Sequence, residues 1–238
     1  MKFIKLTVMS AAMIVAFVST ASAAPVCVDG ASMASYQALG SGGCTYGNVL
    51  FSNFTYGSTG HGTGVAVANT NVFLTLVGAG SYNPGPSIVF TSSGWVVPSA
   101  SPTTRSLVDS SIGFTVTALD GSALIEDAGL ILSSYSASGS GFVDITETVT
   151  PGPTSLQLQV DSGGPFASHT TFAPTSVVTV LKDVLLAVPA SADPTSGSVQ
   201  LGSFEEDFSQ APEPVAALVV GSGLVAIGLL RRRSSQKT

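Results

Sequence analysis

The central part of this chain consists of short runs of Val, Ile, Leu, Thr and Phe, separated by clusters of Gly, Pro, Ser and Asn. Hardly any stretch shows the 3.6-residue apolar spacing of a helix, so the pattern predicts an all-β protein. One run alternates Leu156, Leu158 and Val160 with glutamines, as a half-buried strand does. The predicted strands are residues 49–56, 64–77, 87–97, 106–119, 130–135, 141–149, 155–160, 177–188 and 198–204.

Turn sequences fall between these runs, among them Asn83-Pro84-Gly85-Pro86 and Pro151-Gly152-Pro153. Short strands joined by such turns are typical of a sandwich, and we predict a single, jelly-roll-like β-sandwich domain over residues 24–208. Residues 122–132 are the one helical candidate, but Gly129 and the β-rich neighbours limit it to a turn at most.

The N-terminal residues 1–23 have the three parts of a secretory signal peptide. Lys2 and Lys5 precede an apolar run from Leu6 to Val18, and Ala21-Ser22-Ala23 forms a small-x-small cleavage site. The apolar run is too short to span a hydrocarbon core of roughly 30 Å, which disfavours an uncleaved anchor. We therefore expect export, with cleavage by signal peptidase at Ala21 and Ala23.

Export places the two cysteines, Cys27 and Cys44, in an oxidising compartment, where an even pair close together in sequence predicts one disulfide. Closing a loop of this length stabilises the fold by roughly 3 kcal/mol. A metal site would need further soft ligands nearby, and the only histidines in the sequence are His61 and His169. We predict no metal site.

Charged residues make up only 9% of the sequence, and their placement limits the possible partners. Of the 8 Lys and Arg residues only Arg105 and Lys182 lie between the two ends, whereas Glu213 alone of the 14 Asp and Glu residues lies in the C-terminal tail. An acidic body without a basic patch disfavours nucleic acid and anionic lipid surfaces as partners. The sequence also lacks phosphate-binding loops, dinucleotide fingerprints and Cys/His metal spacings, so we predict no cofactor.

The C-terminal residues 209–238 differ in character from the body. Pro212-Glu213-Pro214 precedes an uncharged apolar run, Val215 to Leu230, and Arg231, Arg232 and Arg233 follow it. The run is at the short limit for a transmembrane helix, and the arginines act as a stop signal that keeps this end in the cytoplasm. The two prolines prevent a regular helix just outside the membrane and leave Glu213 accessible to a processing enzyme.

This order of Pro-Glu-Pro, short apolar span and arginine cluster resembles the PEP-CTERM sorting tail, and similar tails are also labelled as the C-terminal domain of ice-binding proteins. The resemblance covers the tail alone. It implies an exosortase that processes the chain at Pro212, Glu213 and Pro214 in the inner membrane of a Gram-negative bacterium. Delivery to the outer surface or an extracellular exopolysaccharide matrix would follow. A plain anchor that stays in the membrane is the alternative.

One segment of the body resembles a catalytic loop. Asp161-Ser162-Gly163-Gly164-Pro165 is similar to the nucleophile loop of trypsin-like serine proteases, and His61 and Asp109 precede it in the order that a triad needs. The residues around His61, however, resemble the histidine loop of subtilisins, which have a different fold. We therefore interpret the segment as a turn capped by Asp161, place His61 in a glycine-rich loop, and predict no catalytic residues.

Two acidic clusters and one row of threonines are further candidates for binding sites. Glu126-Asp127 and Glu205-Glu206-Asp207 lack the loop spacing of a Ca²⁺ site, so we interpret both as solvated loop charge. Three threonines share one face of a predicted strand, namely Thr146, Thr148 and Thr150. An ice-binding surface needs such rows on many strands, so we interpret this one as an ordinary exposed strand face.

The body is thus predicted to be a structural or binding component rather than an enzyme. A carbohydrate-binding or adhesive module is the first alternative, which the single tryptophan, Trp95, disfavours because aromatic rings supply much of the contact area in such sites. A secreted hydrolase is the second alternative, and no site in the sequence supports it.

Overall fold

The computed structural model of the chain describes residues 23–78, 80, 85–119, 123–193 and 195–211. These residues form two antiparallel sheets, which confirms the predicted all-β class. Within the described ranges, no helix is both long and apolar enough to cross a membrane. The predicted signal peptide up to residue 22 and the predicted sorting tail from Pro212 onward lie outside these ranges.

The regular structure of the described residues consists mainly of strands, with one α-helix, α1 (Met33–Gln37), and two short 3₁₀ helices. The strands are β1 (Ala31–Ser32), β2 (Cys44–Tyr46), β3 (Val49–His61), β4 (Phe73–Val77), β5 (Ser87–Thr91), β6 (Val96–Val97), β7 (Ser106–Ala118), β8 (Ile125–Gly139), β9 (Phe142–Thr150), β10 (Leu156–Asp161), β11 (Ala167–Thr175), β12 (Val177–Val188) and β13 (Gly197–Gln210).

Strands that follow one another in sequence often lie in different sheets. One sheet has six strands in the order β10-β9-β12-β7-β3-β2. The other has the order β1-β4-β5-β13-β8-β11, and β6 also pairs with β13. From β11 onward each strand lies in the sheet opposite to that of its predecessor, so the chain repeatedly crosses between the two layers.

The two sheets pack face to face around one hydrophobic core. Phe114 of β7 contacts the rings of Phe90 in β5 at 6.0 Å and Phe208 in β13 at 6.4 Å, both of which belong to the other sheet. The alternation along β12 shows how the sequence produces this core, because Val178 and Val180 are buried while Thr179 between them faces outward. The architecture is that of a β-sandwich.

Two predicted strands agree closely with the structure, since residues 106–119 and 177–188 correspond to β7 and β12. The predicted strand at residues 64–77 is largely wrong, because only β4 pairs there and the preceding residues include the 3₁₀ helix Asn69–Asn71. The helical candidate at residues 122–132 is also wrong. Its residues from Ile125 onward belong to β8, which pairs with β13 on one side and β11 on the other.

Strand β11 was not predicted, and its position explains why. It lies at the edge of its sheet, where it pairs with β8 alone, and it contains Pro174, which edge strands tolerate. Phe172 packs against the core, but no residue of β11 is fully buried. An edge strand without an alternating apolar pattern gives little signal in sequence.

The predicted disulfide is confirmed. Cys27 and Cys44 are bonded with a Cα–Cα distance of 4.8 Å, and no free cysteine occurs among the described residues. The Cys27 N–H also donates to the Thr45 carbonyl at 2.9 Å, so the bond fastens the N-terminal segment to β2. Helix α1 follows, with Ser32 Oγ accepting from the Ser35 N–H as its N-cap.

Candidate functional site

The outward face of the six-stranded sheet, here called the polar face, is lined by hydroxyl, amide and carboxyl groups. Its side chains come from alternate residues of five strands, whose intervening residues point toward the core. The exposed members are Thr55, Thr59, Ser111, Thr146, Gln157, Gln159, Thr179 and Asp183. The exposed apolar side chains on this face are those of Val177 and Leu181. The face therefore offers a broad set of hydrogen-bonding groups to a partner.

The strand register arranges these groups in rows that cross the sheet. Gln159 of β10 lies opposite Thr146 of β9, which lies opposite Asp183 of β12, which in turn lies opposite Ser111 of β7. Because neighbouring strands lie about 4.8 Å apart, this row extends over roughly 14 Å. A ligand lying along the row could meet polar groups from four strands at once.

The predicted threonine row is part of this larger face. Thr150 of β9 lies opposite Thr179 of β12, and Thr179 lies opposite Thr115 of β7, so hydroxyl groups are not confined to one strand. The threonines of β9 therefore have hydroxyl-bearing neighbours on two further strands. Along β12, however, Thr179 is the only hydroxyl group, and Leu181 and Asp183 occupy the next outward positions, which gives the face mixed rather than uniform chemistry.

Two carboxyl groups of the polar face share a hydrogen bond. Partial burial, the hydrogen bond with Asp109 of β7 and repulsion from Asp109 and Asp144 raise the pKa of Asp183 to about 6. Asp144 of β9 accepts a hydrogen bond from Gln159 Nε2 at 3.0 Å. The acidic groups disfavour an anionic partner and leave uncharged, hydroxylated partners as the best match.

The raised pKa of Asp183 predicts a pH effect on stability. The folded-state pKa exceeds the usual value of 3.8, so the folded protein holds this proton more tightly than the unfolded chain. The stabilisation that results is fully present below about pH 4 and is lost as the pH rises through about 6. We expect Asp183→Asn to raise the melting temperature by on the order of 1–3 °C at pH 7, because solvent screens the site, and to give no gain at pH 3. Thermal unfolding followed by circular dichroism tests this, and equal gains at both pH values would contradict it.

A second group of charged residues, here called the buried charge cluster, lies inside the sandwich. Lys182 of β12, Glu147 of β9 and Glu206 of β13 are all at most 1% exposed. Lys182 Nζ donates to Glu206 Oε2 at 2.5 Å and also to Glu147 Oε2. The ammonium group thus bridges carboxyl groups from the two facing sheets.

Burial and repulsion act on the ionisation of this cluster. Burial, followed by the charge of Glu147, raises the pKa of Glu206 well above its usual range, against the opposing effect of Lys182. Burial alone would lower the pKa of the Lys182 ammonium, but the adjacent carboxyl groups of Glu147 and Glu206 raise it. Lys182 is therefore charged, and Glu206 favours its neutral form.

The interpretation of both acidic clusters as solvated loop charge is wrong. Glu205, Glu206 and Asp207 lie within β13 and are all buried, and Ser87 Oγ donates to Glu205 Oε1 at 2.7 Å. Glu126-Asp127 lies within β8, where Asp127 Oδ1 accepts from the Ser209 N–H at 2.9 Å. Strand pairing, rather than exposure to water, determines the environment of these acids.

The sequence contains a signal for the buried charge cluster that composition did not reveal. Lys182 occupies an inward position of β12, between the buried Val180 and Val184. Glu147 lies between Ile145 and Val149 on the inward face of β9, and the register places it directly opposite Lys182. Two opposite charges at inward positions of adjacent strands therefore indicate a buried pair.

The protease-like segment forms a turn after β10, as predicted. The Gly163 N–H donates to Asp161 Oδ1 at 2.6 Å, which is the expected cap, and the Val143 N–H donates to Ser162 Oγ at 3.1 Å. His61 ends β3 instead of lying in a loop, and three strands separate β3 from β10. At about 4.8 Å per strand, Ser162 and His61 lie on the order of 19 Å apart, too far for a triad.

The remaining predicted sites lie largely beyond the described part of the chain. Pro212-Glu213-Pro214, the arginines of the tail and the cleavage residue Ala21 fall outside it, and Ala23 is its first residue. In the described part, no group of three or more His, Cys, Asp or Glu side chains is arranged to hold a metal ion.

Known proteins were compared with the chain at the levels of sequence and structure. No protein-family model matches it, and no characterised protein sequence is similar to it. A carbohydrate-binding module, TmCBM61 in complex with beta-1,4-galactotriose, is similar with a TM-score of 0.28 and 10% identity over 65% of this chain and 88% of the module. The enzymatically active domain of bacteriophage CBA120 tailspike protein 4 is similar with a TM-score of 0.24 and 12% identity over 66% of this chain and 20% of that chain. Similarity at this level identifies neither a family nor a ligand.

Proposed function

We propose that this chain is an exported, non-catalytic protein of the cell surface or extracellular matrix, whose body binds a neutral polysaccharide through the polar face. In this proposal the body is a jelly-roll-like sandwich, a topology that agrees with the alternation of consecutive strands between sheets. Exopolysaccharide of the matrix is the partner class. The observation that carries the proposal is the row of Gln159, Thr146, Asp183 and Ser111, which crosses four strands at the surface.

The chemistry of the polar face favours a sugar polymer over the other partner classes. Hydroxyl, amide and carboxyl groups match the donors and acceptors of sugar hydroxyls. Lys182 is buried, so Arg105 is the only exposed cation among the described residues, and an anionic polymer would find little to pair with. Trp95 is buried in the core, so any recognition on this face must depend on hydrogen bonds rather than on stacking with its ring.

A pull-down with purified neutral polysaccharides tests this function. The double variant Thr146→Ala with Gln159→Ala removes two members of the row, and we expect about tenfold weaker binding from the loss of two or more hydrogen bonds. The matched control, Thr171→Ala with Gln200→Ala, removes one exposed threonine and one exposed glutamine from the other sheet and should bind normally. Equal binding by the two double variants would contradict the assignment.

Sorting by the tail is the second part of the proposal. The leader and the tail agree on orientation, because a cleaved signal peptide exports the body while Arg231, Arg232 and Arg233 stay in the cytoplasm. An exosortase would then release the body by cutting near Pro212-Glu213-Pro214 in the inner membrane. A stable disulfide-bonded sandwich needs no transmembrane helix to remain folded after release.

The mature protein provides the test of sorting. We expect its mass to lack the apolar run from Val215 to Leu230, and we expect Glu213→Ala to abolish release so that the protein stays with the inner membrane fraction. Glu126→Gln, a change in the body, should be released like the wild type. A mature protein that still contains Val215 to Leu230 would support the retained anchor instead.

A further inference from the structure

The buried charge cluster contains two carboxyl groups for one ammonium group, and not all of the carboxyl oxygens are hydrogen-bonded. Lys182 Nζ contacts one oxygen of each glutamate, and the second oxygens, Glu147 Oε1 and Glu206 Oε1, are buried without a hydrogen-bond partner. Burying an unsatisfied carboxyl oxygen costs about 1–3 kcal/mol, and burying a charge costs several times more. As separate side chains, the three groups are therefore poorly accommodated.

The placement of the three groups matches the needs of a condensation reaction. Lys182 Nζ lies 2.5 Å from Glu206 Oε2, so the nitrogen is next to the carboxyl group that it would attack. Glu147 contacts both Lys182 and Glu206 by hydrogen bonds, which places one carboxyl group where it can move protons between the other two. The Phe204 ring lies 5.8 Å from Nζ, and the surrounding core excludes bulk water that would favour hydrolysis.

We propose that Lys182 and Glu206 condense to form an intramolecular amide bond, with Glu147 as the proton-transfer group. The bond joins Nζ of β12 to Cδ of β13 and therefore links the two sheets covalently across the core. The inference does not depend on the proposed polysaccharide binding, because the cluster is buried and the polar face lies on the opposite side of the same sheet.

The reaction balances without an external reagent. The Lys182 ammonium first gives one proton to the Glu147 carboxylate, and the resulting amine attacks Cδ of the neutral Glu206 carboxyl group. Glu147 then protonates the departing hydroxyl and takes the second proton from nitrogen. One N–C bond forms, one C–O bond breaks, one water molecule leaves, and Glu147 ends as a neutral acid.

The product suits the buried site better than the reactants do. The amide N–H can donate to Glu147, and the protonated Glu147 can donate to the amide oxygen. The two opposite charges of Lys182 and Glu147 disappear, and a neutral hydrogen-bonded pair replaces them. The raised pKa of Glu206 supports its role as the electrophile, because a neutral carboxyl group is attacked by an amine whereas a carboxylate is not.

Peptide mapping of the full-length protein, as secreted by its host, tests the bond. Arg105 and Lys182 are the only tryptic sites between Ala24 and Ala211, so amide formation leaves Arg105 as the only site that trypsin can cut in the denatured body. We expect no cleavage after Lys182. Chymotryptic digestion should give one linked species containing Lys182 and Glu206, lighter than the two peptides together by one water molecule. Full tryptic cleavage after Lys182, or a link from Lys182 to Glu147, would overturn the proposal.

Two variants separate the reaction from simple ion pairing. Glu147→Gln cannot accept the ammonium proton, so we expect the two peptides to be separate, with circular dichroism showing whether the variant is folded. Glu206→Gln should still react, releasing ammonia instead of water, and should give a linked peptide identical in mass to that of the wild type. A folded Glu147→Gln variant that is fully linked would rule out the assigned proton-transfer group.

Discussion

Relative to wild-type protein in which the proposed amide has not formed, we expect Lys182→Ala to lower the free energy of unfolding by about 3–5 kcal/mol. The variant removes the ammonium group from the core and leaves the carboxyl groups of Glu147 and Glu206 buried next to each other. Neither carboxyl group can ionise there without a large desolvation penalty, and the truncated side chain leaves a cavity. Urea unfolding at neutral pH, followed by circular dichroism, measures the effect.

A triple variant shows whether the stability of the fold depends on filling the volume of the buried charge cluster or on its charged groups. Lys182→Met combined with Glu147→Leu and Glu206→Leu fills the site with apolar side chains of similar size, and such replacements are often neutral or stabilising. We therefore expect it to recover most of the stability that Lys182→Ala loses. A loss below about 1 kcal/mol for Lys182→Ala would mean that water reaches the carboxyl groups.

The same alternation that predicts the strands also determines where these charges lie. The positions of Lys182 and Glu147 follow from the inward parity of β12 and β9 once the strands are known. Their contact with Glu206 does not follow, because Glu206 belongs to the other sheet and only the packing of the layers brings it near. The sequence pattern thus predicts on which side of its sheet a side chain lies, but not which residue of the other sheet it contacts across the core.

The polar face, on the opposite side of the six-stranded sheet, could likewise be predicted from the sequence only in part. The threonines of β9 are visible in sequence as an alternating run, but the rows that they join depend on β12 pairing with both β9 and β7. No local feature of Gln159 or Ser111 predicts that both lie in one row with Thr146. Sheet order is determined by contacts between distant parts of the chain, and a single sequence does not contain that information locally.

The short Cys27–Cys44 loop was predictable because it is a local feature in a chain with two cysteines, and the proposed export would supply the oxidising compartment that the bond needs. The disulfide and the proposed amide would constrain different parts of the sandwich. The disulfide fastens the N-terminal segment to β2 at one edge, whereas the amide would join β12 and β13 in the central part of both sheets.

Trp95→Ala is expected to destabilise the fold by about 3–5 kcal/mol, because the indole is the largest side chain that is fully buried. Its ring contacts Phe204 of β13 at 5.6 Å, and its Nε1–H donates to Ser110 Oγ of β7 at 3.2 Å, so the indole connects the two sheets. Ser110→Ala removes the acceptor of the indole N–H together with the hydrogen bonds of Ser110 Oγ to Ser58 and Tyr56, and it should cost about 1–3 kcal/mol. Urea unfolding must be followed by circular dichroism, because the sequence has only 1 Trp and the variant loses intrinsic indole fluorescence.

The fluorescence of Trp95 in the wild type can also test the proposed polysaccharide binding. Trp95 is buried at 0% exposure, so iodide should quench its emission weakly in the folded protein and strongly in urea. If polysaccharide binds the polar face through hydrogen bonds alone, saturating polysaccharide should leave the emission maximum of Trp95 unchanged. A large shift on binding would mean that the ligand stacks on the indole or opens the core around it. In that case the binding surface would lie near Trp95 and not on the row formed by Gln159, Thr146 and Ser111.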